Sequence, residues 1–177
     1  MGKTSFGDFT CSIARTLDVI GERWTMLVLR DVFVGINRFD DMQRDLGIAR
    51  NVLAERLESL VWEGVLERRA YQERPPRYEY VLTEKGEDLQ SVLLAMVAWG
   101  DRWQSRMGGP PVRLRHETCG ADTRAQVVCC SCGMSLRPGE VTARGGPGGR
   151  AADGTQVIAR VLAAGPRRLA AAEGAGA

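Results

Sequence analysis

Residues 47–69, GIARNVLAERLESLVWEGVLERR, change periodicity within a single stretch. Leu53, Leu57 and Leu60 recur at the spacing of a helix with one buried face. Beyond Gly64 the chain turns at once into a strand-like run, Val65 to Tyr71. The pattern predicts a helix from about Arg50 to Trp62, ended by Gly64 and feeding directly into a β-strand. Such a helix lays its leucines on its neighbours and leaves its other face open, so the flanking elements decide what it can be.

Upstream, Ile13, Leu17, Ile20, Trp24, Leu27 and Val28 share one helical face, interrupted at Gly21, which gives two helices with the second starting near Trp24. Asn37 is suited to cap a short helix with Asp40 and Asp41 in its first turn, where carboxylates oppose the positive helix end. Phe39, Met42 and Leu46 form its apolar face and Gly47 stops it. Downstream, QERPP is a turn, because two prolines cannot continue a ladder. Arg77 to Leu82 alternates again, with Tyr78, Tyr80 and Leu82 on one side. Thr83 is placed to cap a long helix with Leu89, Val92, Leu93, Met96, Gly100 and Trp103 on one face, ended by GGPP at 108–111.

Two short helices, a tight turn, a β-hairpin and a long helix make a mostly α winged helix-turn-helix. In that fold the second helix of the motif enters the major groove. Asn51, Glu55 and Glu58 lie opposite the leucine stripe, with Arg50 and Ala54 toward the edge of the exposed face. Arg50 and Asn51 stand at the helix start, where arginine can read guanine and asparagine adenine. Ala54 is small enough for close approach, and Arg56, nearer the flank, suits a phosphate or structural contact. The hairpin adds Arg68, Arg69, Arg74 and Arg77, diluted by Glu67, Glu73 and Glu79. The expected DNA-binding set is Arg38, Arg50, Asn51, Ala54, Glu55, Arg56, Arg69, Arg74 and Arg77. A solvated helix and hairpin laced with ion pairs would use the same residues, and the order of elements favours DNA.

Composition sets outer limits. The chain has 177 residues, 44% of them hydrophobic, and a formal charge of +2 carried almost wholly by arginine. No run reaches the roughly 20 apolar residues of a membrane span. MGKTSFGDFTCS lacks the apolar core of a secretory signal, so a cytoplasmic protein without membrane contact is expected. The expected organisation is a flexible N-terminus at 1–10, a DNA-binding and dimerisation domain at 11–107, a Cys/His segment at 112–142 and a flexible Gly/Ala-rich tail at 143–177.

Several separated stretches, in order, resemble the HxlR-type transcriptional regulators, a MarR-like branch of winged-helix proteins. They are CSIARTLDVIGERWTMLVLRDV (11–32), NRFDDMQRDLGIARNVLAERLESLVWEGVLERR (37–69), YEYVLTEKG (78–86) and LLAMVAWGDRW (93–103). The resemblance covers roughly residues 10–104. It implies a homodimeric regulator, a repressor in the reading adopted here, on pseudo-palindromic double-stranded DNA. It also implies a dimer contact through Met96, Trp99 and Trp103 with the first helix. Cys11 matches a cysteine that senses oxidants or electrophiles in some relatives, and a thiol at a helix start is activated for such chemistry. A small-molecule effector is a further expectation. One departure is Ala49-Arg50, where the family often has Ser-Pro.

The remaining cysteines form H-x₂-C-x₉-C-x₂-C with the only histidine: His116, Cys119, Cys129 and Cys132. Two such pairs across a short connection can close a tetrahedral Cys₃His zinc site, and Gly120 and Gly133 suit tight turns over a metal. Four protein ligands leave no open position, so the expected zinc is structural and the extension zinc-ribbon-like. Cys130 could replace Cys129 or stay free. Two other functions use the same segment: a zinc-stabilised protein-interaction module, or a thiol redox protein using Cys129-x-x-Cys132. The latter lacks a surrounding βαβ pattern. GGPGG at 145–149 has no lysine or following helix for phosphate binding, and no hydrolytic constellation is present, so no enzyme is expected.

Overall fold

A computed structural model describes residues 5–104 and 108–170. The chain forms two units: Val19 to Gln126, and a second that joins the residues up to Asp18 with the chain from Val127 onward. Helix α1 (Ser12–Ile20) runs across that boundary in sequence.

The first unit contains α2 (Thr25–Phe33), α3 (Phe39–Leu46) and α4 (Arg50–Trp62), then an antiparallel hairpin of β1 (Leu66–Glu73) and β2 (Pro76–Leu82). A single helical turn, α5 (Glu84–Glu87), leads into α6 (Gln90–Trp103) and a small hairpin of β3 (Leu114–His116) and β4 (Ala121–Thr123). This is a winged helix-turn-helix. Its core is Val28, Leu29 and Val32 of α2, Met42 of α3, Leu53, Leu57 and Leu60 of α4, and Val65 and Leu66 at the root of the hairpin. The leucine stripe of α4 is buried as its spacing predicts.

The apolar face of the first two helices is phased differently from expectation. Ile13, Leu17 and Leu27 are exposed, while Val28, Leu29 and Val32 are buried. The chain breaks helix between Ile20 and Thr25, so the 3.6-residue phase restarts there and cannot be carried across. Buried Asp31 of α2 accepts from Arg30 Nε at 2.9 Å and Nη2 at 2.6 Å, and the same Nη2 reaches Asp45 at 2.6 Å, tying α2 to α3. Burial pushes the Asp31 carboxyl above its ordinary value, against the pull of Arg30.

Asn37 does not cap α3. Arg38 holds the cap position without a side-chain bond, and Asp40 and Asp41 occupy the first turn. Asn37 instead ties to the hairpin: its carbonyl accepts from Tyr80 N–H at 2.8 Å and its amide donates to Glu79 Oε2 at 3.3 Å. Gly47 closes α3 in the left-handed region, φ 62°, which any Cβ would strain, and so reverses the chain into α4.

Both hairpin strands run further into the turn than QERPP suggests, to Glu73 and from Pro76. Pro76 is tolerated because it begins its strand and the ribbon has only two strands, so a missing N–H leaves no central ladder broken. A register shift between Ala70 and Gln72 leaves Tyr71 out of the pairing.

Thr83 caps only α5, accepting from Gly86 N–H at 3.2 Å while donating to Gly64 O at 2.6 Å. The expected long helix is thus split, and α6 restarts with Leu89 at its cap, packed on the core. Within α5, Gly86 packs tightly on the chain that enters the hairpin. A Cβ there would stand 2.2 Å from the Val65 carbonyl oxygen, so the chain lies directly on the end of α4. Gly86→Ala is expected to lower stability by about 1–3 kcal/mol, because both colliding groups are backbone-bound. Urea unfolding tests this, and a change within about 0.5 kcal/mol would show that the contact is not tight.

The second unit carries β5 (Thr142–Ala143), α7 (Gln156–Ala163) and β6 (Arg167–Arg168), with β5 and β6 antiparallel. Regular structure therefore appears at Ala143, α7 and β6 within the segment expected to be a flexible tail. The N-terminal residues join it: Thr10 Oγ1 lies 2.7 Å from Arg150 O and 2.8 Å from the buried Thr155 Oγ1. Phe6 N–H donates to the Asp18 carboxylate at 2.9 Å and 3.0 Å. Composition alone misses contacts of this kind, since they depend on hydrogen bonds between distant segments rather than on local apolar content.

Candidate nucleic-acid interface

The turn Gly47–Ala49 presents the start of α4 to solvent, with Arg50, Asn51 and Glu55 exposed and Ala54 half-buried between them. Arg50 is not loose. Its Nη1 donates to Asp40 Oδ1 at 3.0 Å and Gln43 Oε1 at 3.5 Å, and its guanidinium lies over the Phe39 ring, 4.7 Å from the centroid. Asp40 and Phe39 belong to the first turn of α3, so α3 and α4 jointly aim this side chain.

A cleft of about 350 Å³ opens beside it, lined by Arg38, Phe39, Asp40, Arg50, Arg77 and the tyrosines 71, 78 and 80. It brings together three of the expected DNA-binding arginines from α4, the hairpin and the cap of α3. The Arg38 guanidinium stacks over Tyr71 at 4.3 Å and that of Arg68 over Tyr78 at 4.4 Å. Burial and nearby Glu58 push the Tyr80 phenol above its ordinary value against the pull of Arg68, so it stays neutral. The tyrosines, Phe39 and Asp40 are absent from the expected site. Period-two alternation marks Tyr78 and Tyr80 as one strand face, but the partner arginines come from other elements and leave no local signal.

Arg56 is a correction. It is buried, paired with Glu55 at 2.5 Å and Glu22 at 3.4 Å, and so joins α4 to the start of the unit instead of facing DNA. Its flank position on the helix turns inward once α4 packs. Arg69 is exposed but engaged by Glu67 at 3.1 Å, and that guanidinium holds the Glu67 carboxyl below its usual range. Arg74 and Arg77, at the hairpin tip, make no ion pair among the described residues.

Helix α6 has no buried residue. Val92, Met96, Trp99 and Trp103 recur at four-, three- and four-residue steps on one face, and both tryptophans are 59% exposed. In the second unit Cys11 precedes α1, half-buried, with its carbonyl accepting from Arg15 N–H at 3.1 Å.

The candidate metal ligands form two separate pairs. His116 and Cys119 flank the β3–β4 turn, with Nδ1 and Sγ 3.2 Å apart. Cys129 and Cys132 belong to a turn in the second unit, where the backbone N–H groups of Ser131 and Cys132, then the Cys132 thiol, hold the Cys129 thiol below its ordinary value. Among the described residues, no three His, Cys, Asp or Glu side chains are gathered into a ready metal cluster. Cys129-x-x-Cys132 lies between bridged residues Val128 and Ser135, with no helix following it as a βαβ redox motif would have.

The HxlR-like helix-turn-helix family model matches residues 19–107, which hold α2 to α6 and both wing strands. The chain belongs to the HxlR-like helix-turn-helix family. It is 43% identical over 140 residues to the uncharacterized HTH-type transcriptional regulator Rv3095 of Mycobacterium tuberculosis, covering 79% of this chain and 89% of that one. Among solved structures it resembles the candidate transcription factor PA1607, at 38% identity and TM-score 0.69 over 78% of this chain and 96% of that one. It also resembles the redox regulator HypR in its reduced form, at 32% identity and TM-score 0.50 over 54% of this chain and 95% of that one. This HxlR-like protein is a transcriptional regulator with a DNA-binding helix-turn-helix. Among the described residues, no helix is long and apolar enough to cross a membrane.

Proposed function

We propose that this HxlR-like protein is a cytoplasmic repressor that binds pseudo-palindromic operators as a homodimer. The observation that carries the reading is the cleft that joins Arg38, Arg50 and Arg77 beside exposed Asn51. Arg50 and Asn51 read base edges at the start of α4, while Arg38, Arg74 and Arg77 hold phosphates on the wing side. One module of this size touches few base pairs, so a second copy supplies affinity and specificity. The Val92, Met96, Trp99 and Trp103 face of α6 suits that partner, since a stripe of this spacing with two exposed tryptophans is stabilised by covering it. The two copies of α4 then lie about 34–36 Å apart, or a multiple of that. Cys11 is the residue through which an oxidant or electrophile would release DNA, a role supported by the likeness to a redox regulator. A small-molecule effector is the other inducer class.

Titration of the protein with genomic DNA fragments at several salt concentrations tests this. A subset of fragments is expected to bind far more tightly than the rest, with log affinity falling linearly as log salt rises. Equal binding to every fragment, or none, would refute operator recognition.

A further inference from the structure

We propose that the cavity between α6 and the β3–β4 hairpin is an effector site for an aliphatic monocarboxylate. It lies wholly within the unit from Val19 to Gln126 and has a volume of about 630 Å³. Small-molecule sites commonly span about 300–1,000 Å³. The cavity shares no residue with the cleft beside Arg50, so the DNA interface does not account for it.

Its lining sorts into two kinds. Val97 and Ala98 of α6 join Val112, Leu114 and Ala125 of the hairpin and its flanks in an aliphatic wall, with no aromatic ring among the described residues. Such a wall takes up a saturated chain by removing it from water. The charged lining is Arg102, Arg113 and Arg124 with Asp101 and Asp122. A surplus of one positive charge suits a monoanion, and the aspartates repel a second negative group on the ligand. Arg113 Nη1 lies 4.0 Å from Asp122 Oδ2, and the Arg102 guanidinium lies over the Trp103 ring, 4.7 Å from its centroid. Arg124 makes no ion pair among the described residues. Its fork of N–H groups matches the two oxygens of a carboxylate, so Arg124 is the principal anchor.

Helix α6 gives the site its consequence. At about 100° per residue, Val97, Ala98 and Asp101 fall on the side of α6 opposite Met96, Trp99 and Trp103. A ligand in the cavity bears on the back of the helix whose front is read above as the dimer contact, and its effect on DNA rests on that reading. A ligand that binds one pose of α6 better than another shifts the spacing of the two recognition helices.

Calorimetric titration of the full chain without DNA tests the site. The probes are saturated monocarboxylates from butanoate to decanoate, kept below micelle formation. One site per chain is expected, with affinity rising about two- to fourfold per added methylene. Decanedioate, with a carboxylate at each end, and decylammonium should bind at least about tenfold more weakly than decanoate. Arg124→Gln should weaken decanoate about tenfold, while Arg168→Gln, in the other unit, leaves it unchanged. No saturable binding, or equal affinity along the series, overturns the site. Equal binding of decanoate by Arg124→Gln and wild type overturns the anchor, and tight decylammonium binding overturns the preference for an anion. The wild-type series keeps the test decisive should the variant fail to fold. Saturating decanoate should then change affinity for a selected operator at least about fivefold, and no change with binding intact overturns the effector role. The first titration contains no DNA, so its outcome is separate from that of operator recognition.

Discussion

Replacing Leu57 with alanine is expected to lower the unfolding free energy by about 2–5 kcal/mol. Leu57 is fully buried, midway along the α4 stripe between Leu53 and Leu60, within a cluster drawn from α2, α3 and the hairpin root. Removing its side chain leaves a hole that four separate elements would have to move to fill, and such elements collapse only partly. A small domain has a stability of only about 5–15 kcal/mol, so a large part of it is lost. Chemical unfolding followed by tryptophan fluorescence gives the number. Glu58→Ala, one residue on and exposed, serves as the control and should stay within about 0.5 kcal/mol. A loss below about 1 kcal/mol in Leu57→Ala would mean that α4 is not anchored by its leucines. DNA binding should fall with stability in this variant, because the core sets the pose of α4.

Arg50→Ala is expected to weaken binding to a selected operator fragment by about 1–3 kcal/mol, about 5- to 150-fold. Binding to unrelated fragments should change much less. Asp40, Gln43 and Phe39 hold Arg50 at the mouth of the cleft, so what is lost is an aimed donor fork and not a diffuse charge. Arg77→Ala makes the contrast. It should weaken binding to all sequences alike and reduce the salt slope by about 1, as for a phosphate contact. Fluorescence anisotropy with specific and scrambled duplexes over a range of salt separates the two variants. Equal loss on both duplexes in Arg50→Ala would reassign that residue to the backbone.

The readable parts of the fold were those written locally. The leucine spacing between Gly47 and Gly64 gives α4 its correct ends, because propensity, period and stop signals agree there. The hairpin follows for the same reason. The parts that escaped depend on which neighbour a side chain meets. Arg56 looks like any exposed arginine until α4 packs and turns it toward Glu22. Asn37 has the chemistry of a cap but finds Tyr80 and Glu79 across the fold instead. At the site, Arg50 and Asn51 were legible from their place on the helix. The tyrosines that complete the cleft were not, since Tyr71 gains its partner only through Arg38, on another element. The threonine at position 83 was legible as a cap, but neither the brevity of α5 nor the close approach of Gly86 to Val65 is encoded by any spacing.

The root of the wing is fastened at two points along β2. Asn37 grips β2 through Tyr80 and Glu79, and Thr83 with Gly86 pins the end of β2 to Gly64 and Val65 at the end of α4. Recognition helix and wing therefore form a rigid caliper whose opening the protein cannot readily adjust. A duplex whose grooves do not match that opening has to deform to fit. Operators are then ranked partly by how cheaply they bend or narrow, including at base pairs that no side chain touches.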